Sequence, residues 1–242
     1  MSSSLKIIAI DGPAASGKST LGLNLARALG YLFFDTGVMY RAITWLAIHH
    51  GLDLNDAEAL TKLAETVEID IRPASQEDGR TSDIISEGLD LTWEIRRPEV
   101  DANVSQVSAY PGVRNALTQQ QRRIGLRGEI VMVGRDIGTV VLPEAPLKIY
   151  LDASVPERAR RRFQEIVERG ETANYAEILE KIKKRDQIDS SRDVAPLRAA
   201  SDAVVIQSDS CNAKQVFDHV LVLIEKMQTQ HSRASTKSND DC

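Results

Sequence analysis

Gly12-Pro13-Ala14-Ala15-Ser16-Gly17-Lys18-Ser19-Thr20 fits G-x-x-x-x-G-K-[ST], the pattern of a phosphate-binding loop. Its surroundings fit as well. Leu5 to Asp11 is a short apolar run typical of a buried strand, and Leu21 to Leu29 reads as a helix stopped by Gly30. In such a strand–loop–helix unit, Gly12 and Gly17 let the backbone fold into a nest of N–H donors, and the helix N-terminus adds partial positive charge. Lys18 can reach the β- and γ-phosphates of a nucleotide, and the Ser19 hydroxyl suits Mg²⁺. By itself the loop indicates a nucleoside triphosphate and nothing narrower, because GTPases, ATPases, motor proteins and small-molecule kinases share it.

Outward from the loop, four further segments read as strands: Tyr31 to Phe34, Glu129 to Val133, Leu147 to Leu151 and Ala203 to Ile206. Helical segments alternate with them. Val38 to His50 puts Met39, Ile43, Leu46 and Ala47 on one face, and Pro98 to Ala109, Pro111 to Arg127, Pro156 to Arg169, Tyr175 to Ser190 and Ala213 to Met227 follow. This order predicts an α/β fold, a five-stranded parallel sheet with helices on both faces. Ligands of such sheets sit at the carboxyl ends of the strands, which here carry the loop itself, Asp35 and Gly134-Arg135-Asp136. Residues from about 53 to 100 interrupt the alternation: Val67 to Ile71 has a period of two, and Ser82 to Leu91 gives one or two more strands around Glu87-Gly88. The reading is an α/β phosphate-loop core over 1–52 and 101–227, a small antiparallel β lobe inserted over 53–100, and a polar, disordered tail over 228–242.

Composition narrows the function. The chain has 242 residues and a net charge of -5, so no global basic field points to DNA or RNA. It has two cysteines, Cys211 and Cys242, far apart, with neither a disulfide framework nor metal-ligand spacing, which suits a reducing cytoplasm. No stretch approaches 18 apolar residues and the N-terminus lacks a long apolar region, so a soluble protein is expected. Cations do collect near predicted strand ends and loops: Lys18, Arg41, Arg135, Arg161, Arg162, Arg185 and Arg192. Phosphoryl transfer needs such a set, since its catalysis is mostly positioning and charge neutralisation. A hydrolysing switch needs fewer and would carry an Asn-Lys-x-Asp stretch, which is absent. Transfer to another nucleoside monophosphate or a small metabolite, and nucleotide binding without transfer, both stay open at this level.

The motifs together are more specific. Asp11 to Thr20, Asp35-Thr36-Gly37-Val38-Met39-Tyr40-Arg41, Ser105-Gln106-Val107, Arg114, Gly134 to Val141, Leu151 to Ser154, Lys184-Arg185-Asp186 and Ala195-Pro196-Leu197 resemble the bacterial cytidylate kinases over about residues 5–226. The resemblance implies a nucleoside-monophosphate-kinase fold, a lid at about 156–175, and transfer of the ATP γ-phosphate to CMP or dCMP by a monomer. It implies that Gly12, Pro13, Ala14, Ala15, Ser16, Gly17, Lys18, Ser19 and Thr20 bind ATP. Ser105, Arg114 and Asp136 would face the cytosine, and Arg185 and Asp189 the sugar. Arg41, Arg135 and Arg192 would hold the acceptor phosphate, with Thr36 and Tyr40 beside them. Arg161 and Arg162 would stand on the lid side near the transferring group. Many members carry an acid immediately before Gly-Arg-Asp where this chain has Val133; with Ser19, Asp35 is the candidate to anchor Mg²⁺ in its place. Asp136 has a second reading, as a brace for Arg135 or a helix start.

Overall fold

The computed structural model describes residues 5–237. Five strands, β1 (Ile7–Asp11), β2 (Leu32–Asp35), β6 (Ile130–Gly134), β7 (Leu147–Asp152) and β8 (Val204–Gln207), form one sheet in the order β2-β6-β1-β7-β8, with every pair parallel. The strand carrying the loop is therefore central. The register sets Asp11 opposite Gly134 and Asp35 opposite Val133, so three strand ends open at one level.

Parallel strands buried on both faces read as continuous apolar runs, but their side chains still alternate. On one face Ile8, Ile10, Val131, Val133, Ile149 and Leu151 pack under α1 (Lys18–Leu29) and α8 (Ala213–Lys237). On the other, Ala9, Phe34, Ile130 and Met132 pack under α2 (Gly37–His49), α4 (Pro98–Val107) and α5 (Pro111–Gly125). Val133 belongs to the first face, where a Cβ on Gly22 of α1 would come within 2.6 Å of its Cγ1. An acid at that position would be driven into apolar packing.

Between α2 and α4 lie α3 (Ala57–Thr66), capped by Asp56, and the antiparallel strands β3 (Ile69–Pro73), β4 (Ser82–Ser86) and β5 (Leu89–Asp90). Their apolar side chains, Leu60, Ile69, Ile71, Ile84 and Leu91, continue the cluster that covers Phe34 and Met132. The insertion thus shares its core with the sheet. Two antiparallel helices, α6 (Val155–Glu168) and α7 (Tyr175–Ser190), pack through Ala159, Ile178 and Ile182, which also touch Ala15 of the loop.

One boundary differs from the sequence reading. α8 continues past Met227 to Lys237, so the start expected for a disordered tail at 228 lies inside a helix. Neither Gly nor Pro occurs between Met227 and Lys237 to stop it. Residues 238–242, Cys242 among them, lie outside the described part. Among the described residues, no helix is long and apolar enough to cross a membrane.

Candidate active site

Lys18 opens α1 behind Gly17, and no side chain caps that N-terminus. Its first-turn N–H groups are left to an outside acceptor. Lys18 is buried, and its Nζ donates to the Pro13 carbonyl at 2.6 Å. Desolvation, then the charge of Arg135, pull its pKa well below the ordinary lysine value. A bound anion relieves both effects. Ser19 Oγ donates to Asp35 Oδ2 at 2.8 Å, placing a hydroxyl and a carboxylate together at the mouth of the loop.

A cavity of about 680 Å³ runs from this mouth between the sheet ends, α4, α5 and the α6–α7 pair. Eight cationic side chains line it against four acidic ones. Of the expected residues, Ala14, Ala15, Gly17, Lys18, Ser19, Thr20, Asp35, Thr36, Tyr40, Arg41, Arg114, Arg135, Asp136, Arg162, Arg185, Asp189 and Arg192 all line it.

Its far end is polar and buried. Arg114 Nη2 pairs with Asp136 Oδ2 at 2.9 Å, both residues nearly without solvent contact, and the guanidinium lies over the Tyr40 ring at 5.4 Å. Burial raises the Asp136 pKa, and Arg114 opposes that shift. Of its two sequence readings as a brace, neither holds: Asp136 holds Arg114, and its side chain caps no helix. Nearer the middle, buried Asp189 takes Arg135 Nε at 3.0 Å on one oxygen and Arg192 on the other, so it orients two of the expected phosphate ligands. Arg114 Nε and Arg192 Nε are buried donors without a partner. Such donors are costly to leave unmet and point to an absent acceptor. Desolvation and the surrounding guanidiniums lower the pKa of Arg185 and Arg192. Arg41 is engaged by Asp101 at 2.6 Å and by the Ile95 carbonyl at 3.0 Å.

Other expected residues are placed differently. Ser105 is exposed on α4 and stands off the cavity; Val104 and Ser108, one helical turn apart, are the α4-side residues that face it. A residue at 105 is rotated about 100° away from that face. Arg161 lies behind the loop, where it pairs with Glu157 and donates to Ser16 O, Ser208 Oγ and Ser208 O. There it lines a second cavity of about 320 Å³ with Ser16, Thr20, Ser208, Asn212 and Val216. Gly12 and Pro13 support the loop without lining the larger cavity. The Thr36 hydroxyl, finally, donates to the Val133 carbonyl at 3.1 Å, which leaves it only as an acceptor toward the cavity.

Two further groups belong to the site, and the sequence assigns neither of them a role. Asp11 is buried under the loop and accepts from Ile137 N and Gly138 N, each at 2.7 Å, so it fixes the turn that follows Arg135-Asp136. Its place at the end of an apolar strand was the available signal. Lys181 lines the cavity from α7, and nothing in its helix distinguishes it from neighbouring lysines.

Comparison with known proteins agrees with this geometry. Residues 8–226 match the family model described as Cytidylate kinase. A cytidylate kinase from Herpetosiphon aurantiacus is 51% identical over 217 residues, covering 90% of this chain and 93% of that one. One from Roseiflexus castenholzii is 50% identical over 219 residues, at 90% and 93% coverage. One from Bacillus licheniformis is 45% identical over 219 residues, at 90% and 96%. The loop, the cation-lined cavity and this similarity along nine-tenths of its length place the chain in the cytidylate kinase family.

Proposed function

We propose that the protein transfers the γ-phosphate of ATP to CMP or dCMP, giving ADP and CDP or dCDP. The observation that carries this reading is one cavity that joins the phosphate loop to a buried Arg114–Asp136 pair. The loop amides and Lys18 hold the donor phosphates, and Lys18 exchanges the Pro13 carbonyl for them. The second cavity, behind the loop between α6 and the β8–α8 turn, takes the donor base. Arg135 and Arg192, oriented by Asp189, hold the acceptor phosphate with Arg41, while Arg185 lies beside the sugar. Arg162 approaches the transferring group from the α6–α7 lid. In-line transfer then needs little beyond positioning and charge neutralisation.

Oxygen donors at the loop mouth suit Mg²⁺, which favours carboxylate, hydroxyl and phosphate oxygens. Ser19 and Asp35 would hold it. Bound there, the ion would neutralise charge on the donor phosphates. Among the described residues no group of three or more His, Cys, Asp or Glu side chains could hold a metal, so phosphate oxygens of the nucleotide would have to complete the ligand set around Ser19 and Asp35. A cytoplasmic monomer completes the proposal, and the net charge of -5 favours free nucleotides over nucleic acid as its partners.

Base choice tests it. Ionised Asp136 only accepts hydrogen bonds, so it favours the N4 amine of cytosine and repels O4 of uracil. Asp136→Asn keeps the shape and adds a donor. kcat/KM for CMP should fall and the CMP-over-UMP preference narrow roughly 10-fold or more, since a good base-edge contact carries about 1–3 kcal/mol. Parallel loss for both substrates would contradict the assignment of Asp136 to the base.

A further inference from the structure

Arg158, on the inner face of α6, has a side chain only 4% exposed and lines neither cavity. Every nitrogen of its guanidinium is engaged. Nε donates to Ala153 O at 2.8 Å, Nη1 to Ala14 O at 3.0 Å, and Nη1 and Nη2 together grip the Asp186 carboxylate of α7. Ala14 O belongs to the phosphate loop.

A trans peptide points its C=O and its N–H in opposite directions. Holding the Ala14 carbonyl outward against Arg158 therefore turns the Ala15 N–H toward the concave side of the loop. No acceptor among the described residues takes that N–H. Ala15 itself sits at φ 58, a left-handed conformation that a non-glycine residue adopts only under constraint. Its side chain meets the Ala159–Ile178–Ile182 cluster. One turn along α6, Arg161 repeats the arrangement on the next-but-one carbonyl, Ser16 O.

We infer that Arg158 is a positioning residue for the donor phosphates: oriented by Asp186, it fixes the Ala14–Ala15 peptide so that an N–H faces the nucleotide. The pair also joins three elements, the loop, α6 and α7, at the base of the lid. This rests on reading the loop as the donor cradle. A bidentate guanidinium is needed because one group must reach a carbonyl and a carboxylate at once; a lysine ammonium lacks that fork.

The test is separate titration of ATP and CMP by calorimetry on purified Arg158→Met, Arg158→Lys, Asp186→Asn and the Arg158→Met/Asp186→Asn double variant. Outer partners that orient a binding group typically contribute roughly tenfold or more. ATP affinity should fall about that much in Arg158→Met, less in Arg158→Lys and Asp186→Asn, with CMP affinity within about twofold of wild type. The double variant should match Arg158→Met, because Asp186 acts through Arg158. Unchanged ATP affinity, equal losses for ATP and CMP, or additive effects would overturn the inference. If Arg158→Met does not fold, the same ATP-selective loss in Asp186→Asn decides it. Lys18→Met separates the two readings: if ATP affinity survives that change, the cradle assignment itself fails.

Discussion

Asp11 holds a carboxylate in one of the driest places around the site. Burial pushes its pKa up to about 6, although the Gly138 and Ile137 amides favour the ionised form. An acid whose pKa is higher folded than unfolded binds a proton on folding, here between 3.8 and about 6. Its contribution to stability is therefore most favourable below 3.8 and is lost as pH rises through 6. The urea midpoint of the wild type, relative to Asp11→Asn, should decline from about pH 4 to about pH 6 and stay level above. A pH-independent difference would show that burial does not govern this carboxyl. The same residue marks the limit of what the chain shows by itself. Its identity and its place beside the loop are legible, but its partners lie more than a hundred positions away in sequence. Arg158 and Arg161 make the point differently: their spacing puts them on one helical face, but only the packing of Ala159 against Ile178 and Ile182 turns that face toward the loop's back. Arg162 turns instead to the cavity.

The loop works as an element because β1 and β7 press against it. Gly12 has φ 151, and a Cβ built on it would lie 2.1 Å from the Leu151 carbonyl oxygen. Backbone of a central strand has no room to yield. Gly12→Ala should lose about 3 kcal/mol or more, the upper end of overpacking costs, or roughly 6–12 °C in melting temperature for a chain this size. Gly30→Ala supplies the comparison. Gly30 is also left-handed, at φ 69, but a Cβ there meets nothing within 4 Å, so only about 1–2 kcal/mol of backbone strain is expected. Calorimetric melting of the two variants measures the contrast; equal losses would mean that strain, not contact with Leu151, governs Gly12. At this scale the sequence was largely readable. β2 and β6 are short apolar runs bounded by Gly or Asp, β7 follows a Pro and ends in Asp, and the first-turn prolines of α4, α5 and α6 mark their starts. The one-turn π-helical segment Ile137–Val141 was not readable, since it is held from outside by Asp11. Nor was the strand order, which depends on crossovers that leave no local pattern.

Across the whole molecule, one cavity collects residues from both ends of the chain: Lys18 and Asp35 early, Arg135 and Asp136 midway, Arg185 and Arg192 late. The elements between them supply its walls. The insertion reaches the site through Arg41, held by Ile95 O, and α4 reaches it through Asp101 on the same guanidinium. If Arg41 holds the acceptor phosphate as proposed, that phosphate competes with Ile95 O and Asp101 for the cation, and binding is coupled to the contact between residues 53–100 and α2. As proposed, this assembly moves phosphate to a cytosine monophosphate and not to water or to another base. The most direct measurement is ADP release from ATP and Mg²⁺ by the purified protein, compared across CMP, dCMP, UMP, dTMP, AMP and GMP and without acceptor. Release should depend on acceptor, fastest with CMP or dCMP and at least roughly tenfold slower with UMP, in keeping with about 1–3 kcal/mol for one base-edge contact. Release that proceeds equally without acceptor, or that prefers another monophosphate over CMP and dCMP, would contradict the proposal.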